Sequence, residues 1–321
     1  MNDLPNHRWR RPWTWLAALG LAGLLLAGCA SPPPLPARPD VPHGAGLLWQ
    51  VDKTGQEPSF IFGTMHVSDR EIRDVAAPVE EAFARATQAA FELVSEEDRK
   101  KEELKLFVEA AVLSGKETLA ELLDDETYAQ LLRIAADRRP SRVYLGKIHL
   151  SRFKPWFAMM VVSGFDDGPR SVSPFSLSLD DWLEDRAKKE GKRVVGLETV
   201  DEQLAVFNGM TLGDQVALLK ERLDDYDNWY GYRTSKELYL SGDTAMFYGI
   251  LQRQLDRLEP GVAARFAERF LNGRNRIMVE RALPLMEKGS TFVAVGALHL
   301  PGEEGLLSLL EQEGYTVTRL H

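Results

Sequence analysis

The sequence predicts an α/β fold with a mixed, largely parallel sheet and large helical insertions. Short apolar runs bounded by turn residues are typical of buried strands. Helical patterns adjoin several of these runs, and strand–helix–strand order at this spacing favours parallel pairing. Much of the remaining chain carries apolar residues at helical spacing, which indicates that helices are inserted between the strands.

Six short segments are predicted as strands. The first two flank a turn that contains Asp52, Gly55 and Pro58, so they are expected to form a hairpin. The last two bracket a predicted helix, 304–313, which Gly314 ends. The predicted strands are 47–51, 59–62, 89–94, 193–197, 290–295 and 315–320. Two helix-rich stretches, 96–162 and 204–287, lie between them.

The N-terminal residues carry the pattern of an export signal. Three arginines lie within 8–11, an apolar run of Leu, Ala and Gly follows at 16–26, and small residues precede Cys29. The run is too short, and wrongly flanked, for a stable membrane span. We therefore expect 1–28 to be a signal peptide and Cys29, the only cysteine of the chain, to carry acyl chains.

A proline-rich segment follows the predicted lipidation site. Residues 29–46 are expected to form the lipidated cysteine and an extended, semi-rigid linker that holds the domain off the bilayer. The globular domain is then expected to span 47–321. Because Ala30 rather than Asp follows Cys29, we expect a lipid-anchored protein of the bacterial cell envelope, at the outer membrane.

Charge and cysteine content exclude several classes of partner and ligand. The chain carries a net charge of −9; the predicted signal contributes +2, which leaves −11 for the rest. An acidic chain without a basic run is a poor nucleic-acid binder, so its expected membrane link is the lipid. Without a free thiol, a metal ion must be held by His, Asp, Glu, Asn or backbone oxygen.

The same short arrangement follows two predicted strands. Gly63-Thr64-Met65-His66 comes after strand 59–62, and Gly296-Ala297-Leu298-His299 comes after strand 290–295. In open α/β sheets, ligands bind at the carboxyl ends of the strands. The spacing alone leaves two interpretations open: a shared site, or two histidines with ordinary surface or structural roles.

Two carboxylates occupy comparable positions in other predicted strands. Glu92 lies within 89–94, and Glu198 ends the run at 193–197. A buried carboxylate needs a partner, although either residue could instead face solvent at a strand end. With two histidines they form a candidate divalent site for Mn, Co, Fe or Zn. The chain has no His-Glu-x-x-His helix, Gly-x-Ser-x-Gly turn or Walker phosphate loop.

A series of motifs recurs in order along the domain: Phe62-Gly63-Thr64-Met65-His66, Phe91-Glu92, Lys154-Pro155-Trp156, Leu179-Asp180, Gly196-Leu197-Glu198-Thr199, Glu202-Gln203, Gly242-Asp243, Arg274-Asn275, Val295 to Glu303 and Gly305-Leu306. This series resembles the TraB/GumN family (TraB/PrgY/GumN), which is related to the Tiki membrane-tethered metalloproteases. The resemblance covers residues 47–321. One departure is Ser178, where similar sequences often carry Gly.

The resemblance implies a Tiki/TraB-like fold in pseudo-symmetric halves, related to the erythromycin-esterase and ChaN-like folds, with both Gly-x-x-His elements facing one cleft. It implies a metal-dependent hydrolase, since Tiki relatives cut peptide bonds. A different class stays open on the same fold. That alternative is a non-catalytic lipoprotein that binds haem, iron or another ligand.

These expectations assign a role to each candidate residue. His66 and His299 are predicted metal ligands, and Glu92 is either the third ligand or the general base. Glu198 is the alternative for whichever role Glu92 leaves vacant. With the resemblance, Arg274 is expected to be a cleft cation that orients a carboxylate or stabilises a developing oxyanion.

Two further residues are predicted to contact a peptide or small-molecule substrate: Asp180 and Asn275. For Asp180 a second interpretation is equally favoured. It could instead be a charge near the favourable N-terminal end of a predicted helix at 181–189.

Overall fold

The structure is a computed structural model that describes residues 34–67, 69–74, 76–94, 100–138, 149–163, 178–226 and 230–321. The predicted signal peptide and Cys29 lie outside these residues. Within the described ranges, no helix combines the length and the apolar character needed to cross a membrane.

Six strands form one mixed sheet in the order β4-β3-β5-β2-β1-β6. The four strands β4, β3, β5 and β2 are parallel, whereas β1 pairs antiparallel with both β2 and β6. The largely parallel sheet and the first hairpin were both predicted, and both are confirmed. The strands are β1 (Leu48–Asp52), β2 (Ser59–Thr64), β3 (Gln88–Phe91), β4 (Arg193–Gly196), β5 (Thr291–Gly296) and β6 (Thr316–Arg319).

Helices fill the stretches between the strands, as the apolar spacing predicted. The described α-helices are α1 (Arg70–Arg73), α2 (Ala77–Arg85), α3 (Lys100–Ala111), α4 (Leu119–Leu122), α5 (Asp125–Arg138), α6 (Pro155–Ser163), α7 (Leu179–Lys189), α8 (Val200–Asn208), α9 (Leu212–Asp224), α10 (Tyr232–Leu240), α11 (Thr244–Leu255), α12 (Pro260–Ala267), α13 (Gly273–Met286) and α14 (Leu306–Gln312). A π-helical turn, Glu268–Asn272, joins α12 to α13.

Both faces of the sheet are buried. Along β5, Phe292 and Ala294 join one apolar cluster, whereas Val293 and Val295 join a second cluster on the opposite face. Side chains of successive strand residues point to opposite faces, so a strand buried on both sides is apolar without interruption. This explains why the central strands were recognisable as short continuous apolar runs.

The parallel strands bring four functional candidates to one edge of the sheet. In the order of the strands, Glu198 follows β4, Glu92 follows β3, His299 follows β5 and His66 follows β2. Glu92 was predicted within a strand, but β3 ends at Phe91 and Glu92 comes immediately after it.

Gly63 permits the close approach of β2 to the segment that carries His299. A Cβ atom on Gly63 would lie 2.7 Å from Leu300 Cδ1 and 3.1 Å from Ala297 Cα. Both distances are shorter than ordinary van der Waals contact, and the second involves backbone. The glycine of the first Gly-x-x-His element therefore has a packing role that any side chain would disturb.

The described part of the predicted proline-rich linker, residues 34–46, is packed on the domain. The Arg38 guanidinium donates to the Asp243 carboxylate at 2.9 Å, and the Pro42 carbonyl accepts from Gly302 N at 2.9 Å. Proline makes these residues stiff, but it does not prevent their carbonyls from pairing with the domain. We call residues 34–46 the N-terminal strap.

We expect the strap to stabilise the domain, because its contacts are absent from the unfolded chain. A soluble chain that begins at residue 47 should be less stable than one that begins at residue 34 by about 2 kcal/mol, the sum of a few net hydrogen bonds. Urea unfolding of the two chains measures this difference. Equal free energies of unfolding would show that the strap contributes nothing.

Candidate active site

His66 is held by the first turn of α7. Its Nδ1 lies 2.8 Å from Asp180 Oδ2, and the other Asp180 oxygen accepts from Thr64 Oγ1 at 2.7 Å. Asp180 is in position because Ser178 caps α7, where its hydroxyl accepts from the backbone N–H of Asp181. A capping serine therefore explains the departure from glycine at this position.

His299 is held by α13. It lies in a short 3₁₀ helix, Ala297–His299, directly after β5, and its Nδ1 is 2.5 Å from Asn275 Oδ1. The Asn275 amide nitrogen donates to the Glu304 carbonyl at 2.6 Å, so the amide oxygen must face the ring. His299 Nδ1 is therefore the hydrogen-bond donor, and in the neutral ring Nε2 keeps its lone pair.

The second nitrogen of each histidine faces the same oxygen of Glu92. His66 Nε2 lies 3.6 Å from Glu92 Oε1, and His299 Nε2 lies 3.7 Å from it. Both distances exceed those of hydrogen bonds. Oε1 also accepts the backbone N–H of Gly296 at 2.6 Å. Two strands and a 3₁₀ helix therefore bring His66, Glu92 and His299 to one point.

Arg274 binds the other oxygen of Glu92. Its Nη2 donates to Glu92 Oε2 at 2.9 Å, and its Nε and Nη2 donate to the two oxygens of Glu198 at 2.8 and 2.6 Å. Gln203 donates to Glu198 Oε2 at 3.1 Å. The side chains of Arg274, Glu92 and Glu198 are all buried. Their mutual ion pairs replace the interactions with water that each charge would have at the surface.

These contacts shift the pKa values of Glu92, His299 and His66 in different directions. Burial opposes the charge of Glu92, but Arg274 and the two histidines hold the pKa of its carboxyl well below the usual range. Burial, together with nearby Arg274, lowers the pKa of His299 to about 3. Burial also acts to lower the pKa of His66, but Asp180 and Glu92 outweigh it and raise the pKa to about 10.

Glu92 is therefore ionised and His299 is neutral near pH 7, the forms in which such side chains bind metal ions. A metal ion at His66 would displace the proton of its ring.

The chemistry of this donor set fits a divalent metal ion. In metal sites the second ring nitrogen of a ligating histidine is usually held by a carboxylate or carbonyl, as Asp180 and Asn275 hold these two. His66 Nε2 is buried and has no hydrogen-bond partner among the described residues. Ligands of a tetrahedral ion with bonds of about 2.1 Å lie about 3.4 Å apart, close to the two distances to Glu92 Oε1.

A complete ligand cluster is nevertheless not formed. Within the part of the chain that the structure describes, no three His, Cys, Asp or Glu side chains are grouped closely enough to hold a metal ion. The residues present fit an ion by donor type and orientation, and their metal binding stays a prediction.

The structure shows which groups surround Arg274, Glu92 and Glu198. The donors of Arg274 are engaged by Glu92, Glu198 and the Phe270 carbonyl, a placement that favours orientation of Glu92 over direct contact with an oxyanion. Glu198 contacts Arg274, whereas Glu92 faces the histidines. A metal-binding or catalytic role for either residue stays a prediction.

Asp180 and Asn275 are also oriented toward protein groups. Asp180 lies in the first turn of α7, the position that the helix-end interpretation predicts. Its carboxylate binds His66 and Thr64. Asn275 is completely buried between His299 and the Glu304 carbonyl. A substrate contact for either residue stays a prediction.

Sequence reasoning missed several participants. Thr64 lies inside the first Gly-x-x-His element, and Gln203 belongs to a quoted motif, so both had a signal that we did not interpret. The backbone N–H of Gly296 had none, because any residue provides that donor.

A cavity of about 460 Å³ adjoins the buried ion pairs. Its lining includes Glu198 and Arg274, but neither histidine. The walls are formed largely by α8, the π-helical turn and α13, and the volume falls in the range of small-molecule sites.

Comparisons with known proteins give distant but consistent relatives. Metalloprotease TIKI2 from Danio rerio is 24% identical over 316 residues, which cover 84% of this chain and 60% of that protein. Metalloprotease TIKI1 from Homo sapiens is 23% identical over 359 residues, 95% of this chain and 69% of that protein. The chain thus spans less than two thirds of the Danio rerio relative. No solved structure matches the chain.

The family assignment rests on a match that covers nearly the whole described domain. A family model described as "TraB/PrgY/gumN family" matches residues 47–319. The matched span contains both Gly-x-x-His elements and every residue of the buried site. The chain therefore belongs to the TraB/PrgY/gumN family.

Proposed function

We propose that this protein is a metal-dependent hydrolase of the cell envelope with a peptidase-like activity. One observation carries the proposal: the Nε2 atoms of His66 and His299 face one oxygen of the ionised Glu92, while both Nδ1 atoms are held by other side chains. The similarity to proteins named metalloproteases supports the peptidase-like class.

In this proposal, His66 and His299 hold the ion, and Glu92 Oε1, which faces both rings, is the proton acceptor beside it. A divalent ion bound there would lower the pKa of a water molecule toward neutrality and polarise a substrate carbonyl.

The chain's own residues supply orientation and proton handling. Asp180 and Asn275 fix the rotation of the two imidazole rings. Arg274 keeps Glu92 ionised by binding Oε2, which leaves Oε1 as the atom that can accept a proton from the attacking group. The Gly296 N–H directs Oε1 toward the histidines. Glu198 accepts from the Nε and Nη2 atoms of Arg274 and so holds the guanidinium in place.

The metal assignment predicts a stoichiometry that two substitutions remove. The soluble chain from residue 34, loaded with Mn, Co, Fe or Zn and desalted, should retain about one equivalent of an ion. His66→Ala and His299→Ala should each lose most of it, because the one histidine that remains holds a divalent ion weakly.

Elemental analysis of the purified proteins measures the bound metal. His149→Ala is the matched control and should keep the ion, since among the described residues the His149 side chain forms hydrogen bonds with Ser151 and not with the site. Retention of no ion by the wild type would contradict the assignment. A strong visible haem band on purification would instead favour the ligand-binding alternative.

Removal of the Glu92 charge should abolish turnover but spare the fold. Glu92→Gln keeps the size of the side chain and loses the proton acceptor, so hydrolysis should fall by at least about 100-fold. The assay measures cleavage of a quenched fluorescent peptide library by the metal-loaded protein. Glu109→Gln, which removes an exposed surface carboxylate, is the control and should keep full activity. Equal rates for Glu92→Gln and wild type would refute a role in proton transfer.

The envelope location rests on Cys29, which we propose is acylated. The basic residues, the short apolar run and the small residues before Cys29 support this proposal. In the full chain, Cys29→Ser should leave an uncleaved precursor or release the protein from the membrane fraction. Metabolic labelling with a clickable fatty acid and immunoblotting of the fractions measure both outcomes. A mature, labelled Cys29→Ser protein would contradict the assignment.

A further inference from the structure

His66 belongs to a short connection that is held at both ends by another helix. We call residues 63–69 the His66 segment; residue 68 is not among those described. The segment leaves β2 at Gly63 and Thr64 and reaches the N-terminus of α1 at Asp69. It makes a tight turn in which Val67 N donates to the Met65 carbonyl at 2.7 Å.

Helix α10 contacts the segment on both sides of His66. The Tyr239 hydroxyl donates to the Gly63 carbonyl at 2.9 Å, three residues before His66. The Tyr232 hydroxyl and Lys236 Nζ donate to Asp69 Oδ2 at 2.6 and 2.7 Å, three residues after it.

The three α10 residues are spaced four and three apart, so they lie on one face of the helix. A single rigid helix face therefore holds both ends of the segment.

Asp69 makes the attachment specific. It is 5% exposed, and its second oxygen, Oδ1, accepts from Glu71 N and caps α1. A carboxylate buried to this extent is stable only when its acceptor sites are satisfied, and α10 supplies the two donors to Oδ2. The hydrogen bonds from Lys236 and Tyr232 also outweigh burial and lower the pKa of Asp69, which keeps it charged.

The contact with Asp180 leaves the backbone beneath His66 free to move, and the contacts with α10 restrict that movement. The hydrogen bond from His66 Nδ1 to Asp180 fixes the rotation of the ring, and α7 contacts the segment again where Leu179 N donates to the Val67 carbonyl. Both contacts come from one side. A ring held at one nitrogen can still tilt if the backbone beneath it moves, and a displacement of about 1 Å is enough to impair a catalytic geometry.

We propose that α10 positions His66: Tyr239 holds the start of the His66 segment and Tyr232 with Lys236 holds Asp69 at its end, so that Nε2 stays directed at Glu92. These are positioning residues, since their hydrogen bonds go to Gly63 and Asp69 and not to Glu92 or either histidine ring. The effect expected on metal affinity rests on the proposed function, whereas the effect on the segment does not.

The test uses the full chain, purified in detergent, and conservative substitutions. Tyr232→Phe and Tyr239→Phe remove single hydroxyl groups and keep the aromatic packing. Lys236→Met removes the charge, and Lys236→Arg restores it. Arg233→Gln is the matched control, because Arg233 is on the same helix with its side chain 92% exposed.

Three measurements separate positioning from general stability. Hydrogen exchange reports the protection of the amides of residues 63–69. Selective ¹⁵N-histidine labelling reports the ring of His66, which His66→Gln identifies among the six histidines. Titration with Zn²⁺ alone gives the affinity for an ion.

In the combined Tyr232→Phe and Tyr239→Phe variant, we expect exchange of the segment to rise at least about tenfold while β5 stays protected. The His66 ring signal should broaden, and Zn²⁺ affinity should fall about 10- to 100-fold, as for other groups that orient metal ligands. Lys236→Met should change the exchange, the ring signal and the Zn²⁺ affinity in the same directions. Lys236→Arg should behave as the wild type. Arg233→Gln should change none of the three.

Two results would overturn the proposal. One is an unchanged segment and ring signal in the combined variant. The other is an equal rise of exchange in the segment and throughout the sheet, since that would assign α10 a role in overall stability alone. If the wild type binds none of Mn, Co, Fe and Zn, the proposed metallohydrolase function fails, but exchange and the ring signal still decide whether α10 positions His66.

Discussion

The site depends on the charge of one buried carboxylate. Glu92 is 3% exposed, and a carboxylate without compensation at that depth would cost several kcal/mol. Arg274 compensates the charge on Oε2, and the Gly296 N–H with the two histidine rings surrounds Oε1. Because Arg274 is itself buried, it requires Glu198 as well. Removal of one of these groups takes away part of the compensation on which its partners depend.

This requirement explains the arrangement of the surrounding elements. Four parallel strands end at one edge, and each contributes one residue to the network or to the histidine pair. Helix α13 supplies consecutive residues, Arg274 to the carboxylates and Asn275 to His299. The π-helical turn just before α13 places the Phe270 carbonyl within reach of Arg274. Such turns are rare in proteins overall, but many of those that occur lie at functional sites.

Much of the sheet could be predicted because its central strands are buried on both faces and therefore read as short apolar runs. The shared edge followed from the same argument, since glycine and histidine recur after two of those strands. Strand ends were less predictable: Glu92 lies just beyond β3, where its carboxylate binds Gly296 and Arg274, which are far away in sequence. The docking of the N-terminal strap was missed, because a proline-rich composition predicts stiffness but not attachment.

The residues that orient other side chains were the hardest to predict. Asp180 is 114 residues from His66, and the α10 residues belong to a stretch whose spacing indicated only a helix. A hydroxyl or amine on a predicted helix face gives no sign of the carboxylate that it will meet. Only the tertiary structure identifies these partners, since neither periodicity nor composition encodes contacts between distant segments.

The side-by-side arrangement of β1 and β6 has a mechanical consequence. Because β1 runs antiparallel to β2, Leu48 lies opposite Phe62, at the edge that carries the histidines. The His321 carbonyl accepts from Leu47 N at the same edge, so β1 and β6 begin and end side by side. Tension between the two ends would open the β1–β6 ladder one hydrogen bond at a time, because the load acts along those bonds. The contacts of the N-terminal strap take up such a load before it reaches the sheet.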